Sequence, residues 1–515
     1  MPVEVAPEFY SDSATSPESS ITSRKKIGFV SLGCPKNLVD SEVMMGLLNQ
    51  AGAEITPHAG EADVIVVNTC SFIDSAKQES VNAILEMAQH KTAGRAQKLI
   101  VAGCLVERYR DEIRKNIPEV DAVVGTGELQ QIIQAAGILP LSPLSEQSDS
   151  PFKILVDRAP SAVRQHSRLE GDVRQANGRF SRAEWDGAIA DLPNYLYDEH
   201  TPRLLATGKT SAYLKIAEGC DHPCGFCIIP QLRGKFRSRH FESVIAEARR
   251  LAEGGVRELT LIGQDTTCYG EDFGIKDGLA LLLARLAEIE ELRWIRFLYA
   301  YPNKITGRLL DTIAAHEKIC SYIDVPLQHG SASALKRMKR GGGAEIFLKT
   351  IEKMRCTIPN LTLRTSFIVG FPGETDSEFA ELSNFVRAAE FDWMGVFGYS
   401  DEDGAAAFKL PGKVPLAKIE QRRKKLMQLQ QSISRRKKRE FVGRQFDLLV
   451  EGPSEETDLL WEGRTAMHAP EIDGKVFIND FGSHESLASG EFYRCEITEA
   501  HEYDLIARIV RKQHQ

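Results

Sequence analysis

Residues 218–230 read Glu-Gly-Cys-Asp-His-Pro-Cys-Gly-Phe-Cys-Ile-Ile-Pro and follow Tyr213–Ala217, a run whose residue types predict a strand. Cys220, Cys224 and Cys227 therefore form a C-x3-C-x2-C pattern on the loop leaving that strand. Three thiolates so close together can cap three corners of one [4Fe-4S] cluster, and the missing fourth ligand leaves one iron open to a small molecule. A zinc site would require a further Cys or His at its own spacing. His222 lies inside the loop, but a second paired knuckle is absent. The pattern points to an iron-sulfur site with an open position.

Downstream, further strand candidates at Glu258–Ile262, Trp294–Leu298, Tyr322–Val325, Thr365–Val369 and Gly395–Phe397 alternate with helical stretches. Six strands in this rhythm predict a full or partial β/α barrel over residues 206–440. A basic helix containing Arg422–Lys425 and Arg435–Arg439 closes it. Short alternating strands over 441–513, with turns such as Asp473-Gly474, predict a small antiparallel β-barrel. Upstream, β-branched runs at Ile27–Leu32, Val64–Val67, Leu99–Ala102 and Val120–Val124 alternate with helices, the pattern of a Rossmann-like βαβ domain over 25–140. One of its helices pairs Val43 with Leu47 and Met44 with Leu48, and Gly52 is a C-terminal stop. Residues 141–205 are polar and aperiodic and read as a linker with little fixed structure; residues 1–24 read as a disordered tail.

The chain has 515 residues, 42% hydrophobic and 26% charged, with no apolar run near the roughly 20 residues of a membrane helix. A cytoplasmic location without membrane association is expected, and ten cysteines there are more naturally ligands than disulfides. Cys34, Cys70 and Cys104 are far apart in sequence, yet each follows the carboxyl end of a predicted strand: Leu32-Gly33-Cys34, Asn68-Thr69-Cys70 and Ala102-Gly103-Cys104. In a parallel sheet those ends share one edge, where ligands bind. Either three thiols converge there or three unrelated cysteines are simply buried. Cys268, Cys320, Cys356 and Cys495 share no spacing and read as structural. Gly208-Lys209-Thr210 lacks the earlier glycine of a phosphate loop, since position 203 is Arg, and no G-x-G-x-x-G occurs.

A C-x3-C-x2-C loop after the first strand of a β/α barrel, with Phe226 before its last cysteine, resembles the radical S-adenosylmethionine superfamily. The resemblance implies S-adenosyl-L-methionine on the open iron and a deoxyadenosyl radical made by cleaving its sulfonium. Gly370-Phe371-Pro372-Gly373-Glu374-Thr375 is similar to the glycine-rich stretch that such proteins place near the cofactor, making Phe226, Gly370, Gly373 and Glu374 candidate cofactor contacts. The order of the three units, over roughly Lys26–Pro140 and Ser211–Val510, resembles the methylthiotransferases. That family implies two [4Fe-4S] clusters, the second on Cys34, Cys70 and Cys104, where sulfur is held or delivered. It also implies S-adenosyl-L-methionine as both methyl donor and radical source, an electron donor, a sulfur donor and a terminal TRAM barrel. No catalytic residue is implied beyond the clusters.

The family divides into enzymes acting on tRNA adenosine and a branch acting on an aspartate β-carbon of the small-subunit ribosomal protein uS12, free or within the ribosome. Ser31–Glu42 (Ser-Leu-Gly-Cys-Pro-Lys-Asn-Leu-Val-Asp-Ser-Glu) looks like the latter, since the tRNA branch typically has Gln after this cysteine. Thr69–Asp74, Gln264-Asp265-Thr266 and Ala469–Gly474 are similar to the same branch. Charge agrees: residues 441–515 carry 7 Lys plus Arg and 15 Asp plus Glu, a net of −8. A phosphate-tracking surface should be positive, and an acidic one better suits a basic ribosomal protein.

Overall fold

The computed structural model describes residues 24–138, 192–206, 208, 210–454, 457 and 459–512. The tail, except Arg24, and the linker up to residue 191 lie outside the described residues, as does Lys209.

The first unit is a five-stranded sheet in the order β2-β1-β3-β4-β5, built from β1 (Lys26–Ser31), β2 (Glu54–Thr56), β3 (Val64–Thr69), β4 (Lys98–Gly103) and β5 (Ala122–Val124). Every pairing is parallel. All six residues of β3 are buried, as a central parallel strand covered by helices on both faces requires. The helix Pro35–Gln50 starts with proline at its first turn, where the missing N–H has no partner to lose, and Gly52 beyond its end stands at φ +95°. The edge strand β2 escapes sequence reading, because three residues carry too little periodicity.

The second unit contains β6 (Ser211–Lys215), a short antiparallel pair β7 (Ala217–Glu218) and β8 (Arg237–Ser238), then β9 (Glu258–Ile262), β10 (Trp294–Phe297), β11 (Tyr322–Asp324), β12 (Thr362–Val369) and β13 (Trp393–Gly398). β6, β9 and β10 form one parallel sheet, and β11, β12 and β13 another. A parallel bridge from Ile295 to Ile319 joins them, giving a six-stranded partial barrel. Strand alternation sorts its side chains. Leu214, Leu259, Leu261, Ile323, Leu363 and Phe367 pack outward with the helices in the largest hydrophobic cluster. Tyr213, Ile262, Trp294, Leu298, Tyr322 and Trp393 belong to a second cluster that includes Val39, Val43 and Ile27, so the first unit leans on the barrel's open side.

The third unit is a closed five-stranded barrel of β14 (Gln445–Pro453), β15 (Trp461–Thr465), β16 (Val476–Asp480), β17 (Phe492–Ala500) and β18 (Leu505–Lys512), ordered β14-β15-β16-β18-β17. It is not wholly antiparallel: β16 and β18 run parallel, because β17 intervenes in sequence but lies on the far side of β18. The turn between β15 and β16 enters the partial barrel at its amino-terminal mouth. Trp393 Nε1 donates to Met467 O at 2.9 Å, Arg296 to Ala466 O at 3.0 Å, and Tyr322 Oη to Asp473 Oδ2 at 2.7 Å. The Ala469–Gly474 motif thus forms the floor of the barrel.

Within the expected linker, residues 192–205 are held in place where little fixed structure was expected, while 141–191 lie outside the described residues. Arg203 is enclosed between Glu42 and Glu247, at 2.6 and 2.8 Å, and Tyr197 is buried under Arg239. A charge-rich sequence hides such order because its partners are far away in the chain.

Candidate active site: two cysteine trios

β1, β3 and β4 are neighbours in the first sheet, and Cys34, Cys70 and Cys104 stand just past their carboxyl ends. Cys34 caps the helix Pro35–Gln50, and Cys104 opens the helix Cys104–Asn116. The glycines before them adopt φ +90° (Gly33) and +93° (Gly103), conformations that side chains disfavour. A Cβ on Gly33 would lie 2.7 Å from Cys70 Cβ and 3.1 Å from its sulfur. Cys70 feels the charge of Cys34, and Cys104 feels that of both, so the three converge. Burial raises Cys70 and pushes Cys104 up to about 12. A bound metal reverses that preference by deprotonating its ligands.

Cys220, Cys224 and Cys227 lie on the loop following β6 and β7, at the carboxyl mouth of the partial barrel. Burial pushes Cys220 up to about 12 and Cys227 well above the ordinary thiol range, the neighbouring Cys224 adding to both. Ile229 N–H donates to Cys227 Sγ at 3.4 Å, and an Arg340 nitrogen lies 3.6 Å from Cys224 Sγ. N–H groups directed at sulfur, on three soft donors, suit an iron-sulfur cluster; the residues fit that group. His222 stacks on Tyr301 at 3.9 Å and contacts Asp265 at 2.6 Å, and Cys268 Sγ sits 3.0 Å from the same carboxylate. His222 and Cys268 are thus engaged with Asp265 of the Gln264-Asp265-Thr266 motif.

The glycine-rich stretch follows β12, with Gly370 at φ +81° and Gly373 at φ +77°. Gly225 of the cysteine loop donates to Met338 O at 2.8 Å, and Gly373 lies beside Arg337, so the segment 337–338 separates cysteine loop from glycine-rich turn. Phe226 packs partly buried against the barrel core. Glu374 is buried, and its carboxylate is taken up by Gly370 N–H and by Arg422 at 3.3 Å. Of the four candidate cofactor contacts, Gly373 alone is exposed.

Between the trios lies a buried charge network that sequence reading does not assemble. Lys215 and Arg233 both pair with Asp40 and with Glu218. Burial works against the charge on Glu218, but Lys215 and Arg233 hold its carboxyl well below the usual range. Asn37 Nδ2 bonds Leu32 O at 2.9 Å and Thr69 O at 2.8 Å, while its Oδ1 accepts from Arg233. Lys36 is buried with its ammonium 3.3 Å from the centre of the Tyr299 ring. Asn37 and Asp40 are visible as motif residues, but a lone Arg or Lys in a strand or helix carries no sequence signal of such a role.

The comparisons with known proteins fit this geometry. Residues 26–125 match the model described as uncharacterized protein family UPF0004, residues 214–386 the radical SAM superfamily, and residues 442–510 the TRAM domain. The ribosomal protein uS12 methylthiotransferase RimO of Koribacter versatilis (strain Ellin345) is 69% identical over 96% of this chain and 98% of its own length. That of Solibacter usitatus (strain Ellin6076) is 55% identical over 94% of this chain and 95% of its own. Cysteine trios at the carboxyl ends of the strands of two sheets, a partial barrel and a terminal five-stranded barrel, together with relatives this similar over nearly their whole length, place the chain in the RimO family of radical SAM methylthiotransferases.

Proposed function

We propose that this chain transfers a methylthio group to the β-carbon of an aspartate in ribosomal protein uS12, with Cys220, Cys224 and Cys227 holding one [4Fe-4S] cluster and Cys34, Cys70 and Cys104 the other. The supporting observation is that the trios sit on the carboxyl edges of two sheets joined by the network of Asp40, Lys215, Glu218 and Arg233. When bound, the barrel cluster supplies the electron that cleaves S-adenosyl-L-methionine to the radical that removes hydrogen from the target carbon. Radical chemistry is needed because that carbon is unactivated, beyond the reach of side-chain bases with pKa values near neutrality. Residues 25–140, 206–440 and 441–513 act as the three functional units.

In this reading Phe226 and the Gly370–Glu374 turn frame the S-adenosyl-L-methionine site, Glu374 holding the turn's shape through Gly370 N–H. An electron donor and a sulfur donor complete the reaction in the cytoplasm; no helix among the described residues is long and apolar enough to cross a membrane. Reduced, iron-loaded protein incubated with S-adenosyl-L-methionine should release 5′-deoxyadenosine and, with uS12 present, methylthiolated uS12. Absence of deoxyadenosine from protein carrying a full iron complement would overturn the assignment.

A further inference from the structure

We propose that Arg233, supplied by the barrel, is a positioning residue for the N-terminal cysteine trio, and that its guanidinium charge tunes whatever iron-sulfur group that trio holds. The inference rests on the reading that Cys34, Cys70 and Cys104 hold a cluster.

Arg233 lies six residues beyond Cys227, at the end of the short helix Ile229–Arg233, yet every side-chain partner but one belongs to the first unit. It is 2% exposed. One nitrogen donates to Asp40 Oδ2 at 2.6 Å and to Glu218 Oε2 at 3.2 Å. The other donates to Asn37 Oδ1, the same atom that lies 3.7 Å from Cys104 Sγ. A simple pin between two units would be complete with the carboxylates. Here the second nitrogen is spent on a neutral amide beside a thiol, which turns the charge toward the trio. The same amide grips the backbone at Leu32, two residues ahead of Cys34, and at Thr69, one ahead of Cys70.

Charge counting gives this orientation a consequence. Arg233 and Lys215 balance Asp40 and Glu218, so the buried quartet is neutral while the cysteines are thiols. Three thiolates add negative charge directly beside the guanidinium. In a low-dielectric interior that cation stabilises the more negative, reduced form of a cluster and raises its potential, because charge and hydrogen bonding near the sulfurs set the potential. Removing the cation should lower the potential. Removing the carboxylate of Asp40, which offsets it, should raise the potential.

The experiment uses the full chain carrying Cys220→Ala, Cys224→Ala and Cys227→Ala, so that iron reports only the N-terminal trio. Iron per chain and the reduction potential, followed by electron paramagnetic resonance, are measured for this parent and after adding Arg233→Met, Arg233→Lys or Asp40→Asn. We expect Arg233→Met to disfavour the reduced form about tenfold, about 59 mV for a one-electron couple, with most of that recovered by Arg233→Lys. Asp40→Asn should shift the potential in the opposite direction. Iron-loaded Arg233→Met and Asp40→Asn proteins at the parent's potential would overturn the inference and leave the cluster assignment standing. Should Arg233→Met fail to hold iron, the Asp40→Asn potential decides: a rise supports the inference, no change overturns it. A parent chain without iron would overturn the cluster assignment, and the inference with it.

Discussion

At the scale of single residues, Gly33 shows how backbone and site depend on each other. Its φ of +90° disfavours any side chain, and a Cβ there would come within 2.7 Å of Cys70 Cβ, closer than two carbons can pack. Gly33→Ala should destabilise the first unit by about 1–3 kcal/mol and lower its iron content, read by thermal melting and iron analysis. Cys70→Ala is expected to separate the two chemistries: bound iron falls by about half, deoxyadenosine formation persists, and methylthiolation is lost. Methylthiolation surviving in that variant would show that Cys70 belongs to no second site. Sequence alone exposes the Gly-Cys pairs, because a strand end followed by glycine and cysteine is a local pattern. It cannot expose Arg233 or Lys215, whose partner Asp40 lies more than a hundred residues away in the chain.

At the scale of elements, the joint between partial barrel and terminal barrel centres on Glu258 of β9. This fully buried carboxylate is shared by Arg296 of β10, at 3.0 Å, and Arg464 of β15, at 2.7 Å. Burial alone would raise it, but Arg464 and Arg296 hold it down to about 2. The folded-state value lies below the ordinary 4.5, so its contribution to stability is complete above that value and fades as pH falls from about 4.5 through 2. Glu258→Gln should remove this acid-dependent component and cost about 3–5 kcal/mol at neutral pH, since two buried guanidinium groups lose their shared anion. Trp294, 4.8 Å edge-on to Phe492 across the joint, gives the fluorescence signal for a denaturant titration. An unchanged midpoint would contradict the role assigned to Glu258.

On the partial-barrel side of this joint β9 and β10 are legible as strand candidates, whereas the floor formed by Ala469–Gly474 is legible only as a motif without a place. The charges of the basic helix Leu416–Arg439 suggest an RNA contact when read alone. In the fold Arg422 is buried against Glu374 and Asp376, and Arg435, Arg436 and Lys437 pair with Glu502, Glu390 and Asp392. Lys438 is buried over the Trp393 ring, and burial lowers it to about 8.

At the scale of the whole molecule, the order of units is readable because each repeats its own periodicity: parallel α/β, then β/α barrel, then short alternating strands. What cannot be read is how they join, since the cross-unit contacts are single charged or aromatic side chains and not patterns. Arg435, Arg436 and Lys437 of the basic helix are paired with acidic partners, and the terminal segment carries a net of −8, a balance less suited to tracking a phosphate backbone than a positive surface would be. Mass spectrometry of ribosomal proteins and tRNA nucleosides from cells lacking this gene distinguishes the two substrates. A uS12 methylthiotransferase predicts loss of the methylthio mass from uS12 with tRNA unchanged; loss from tRNA with uS12 still modified would contradict that assignment.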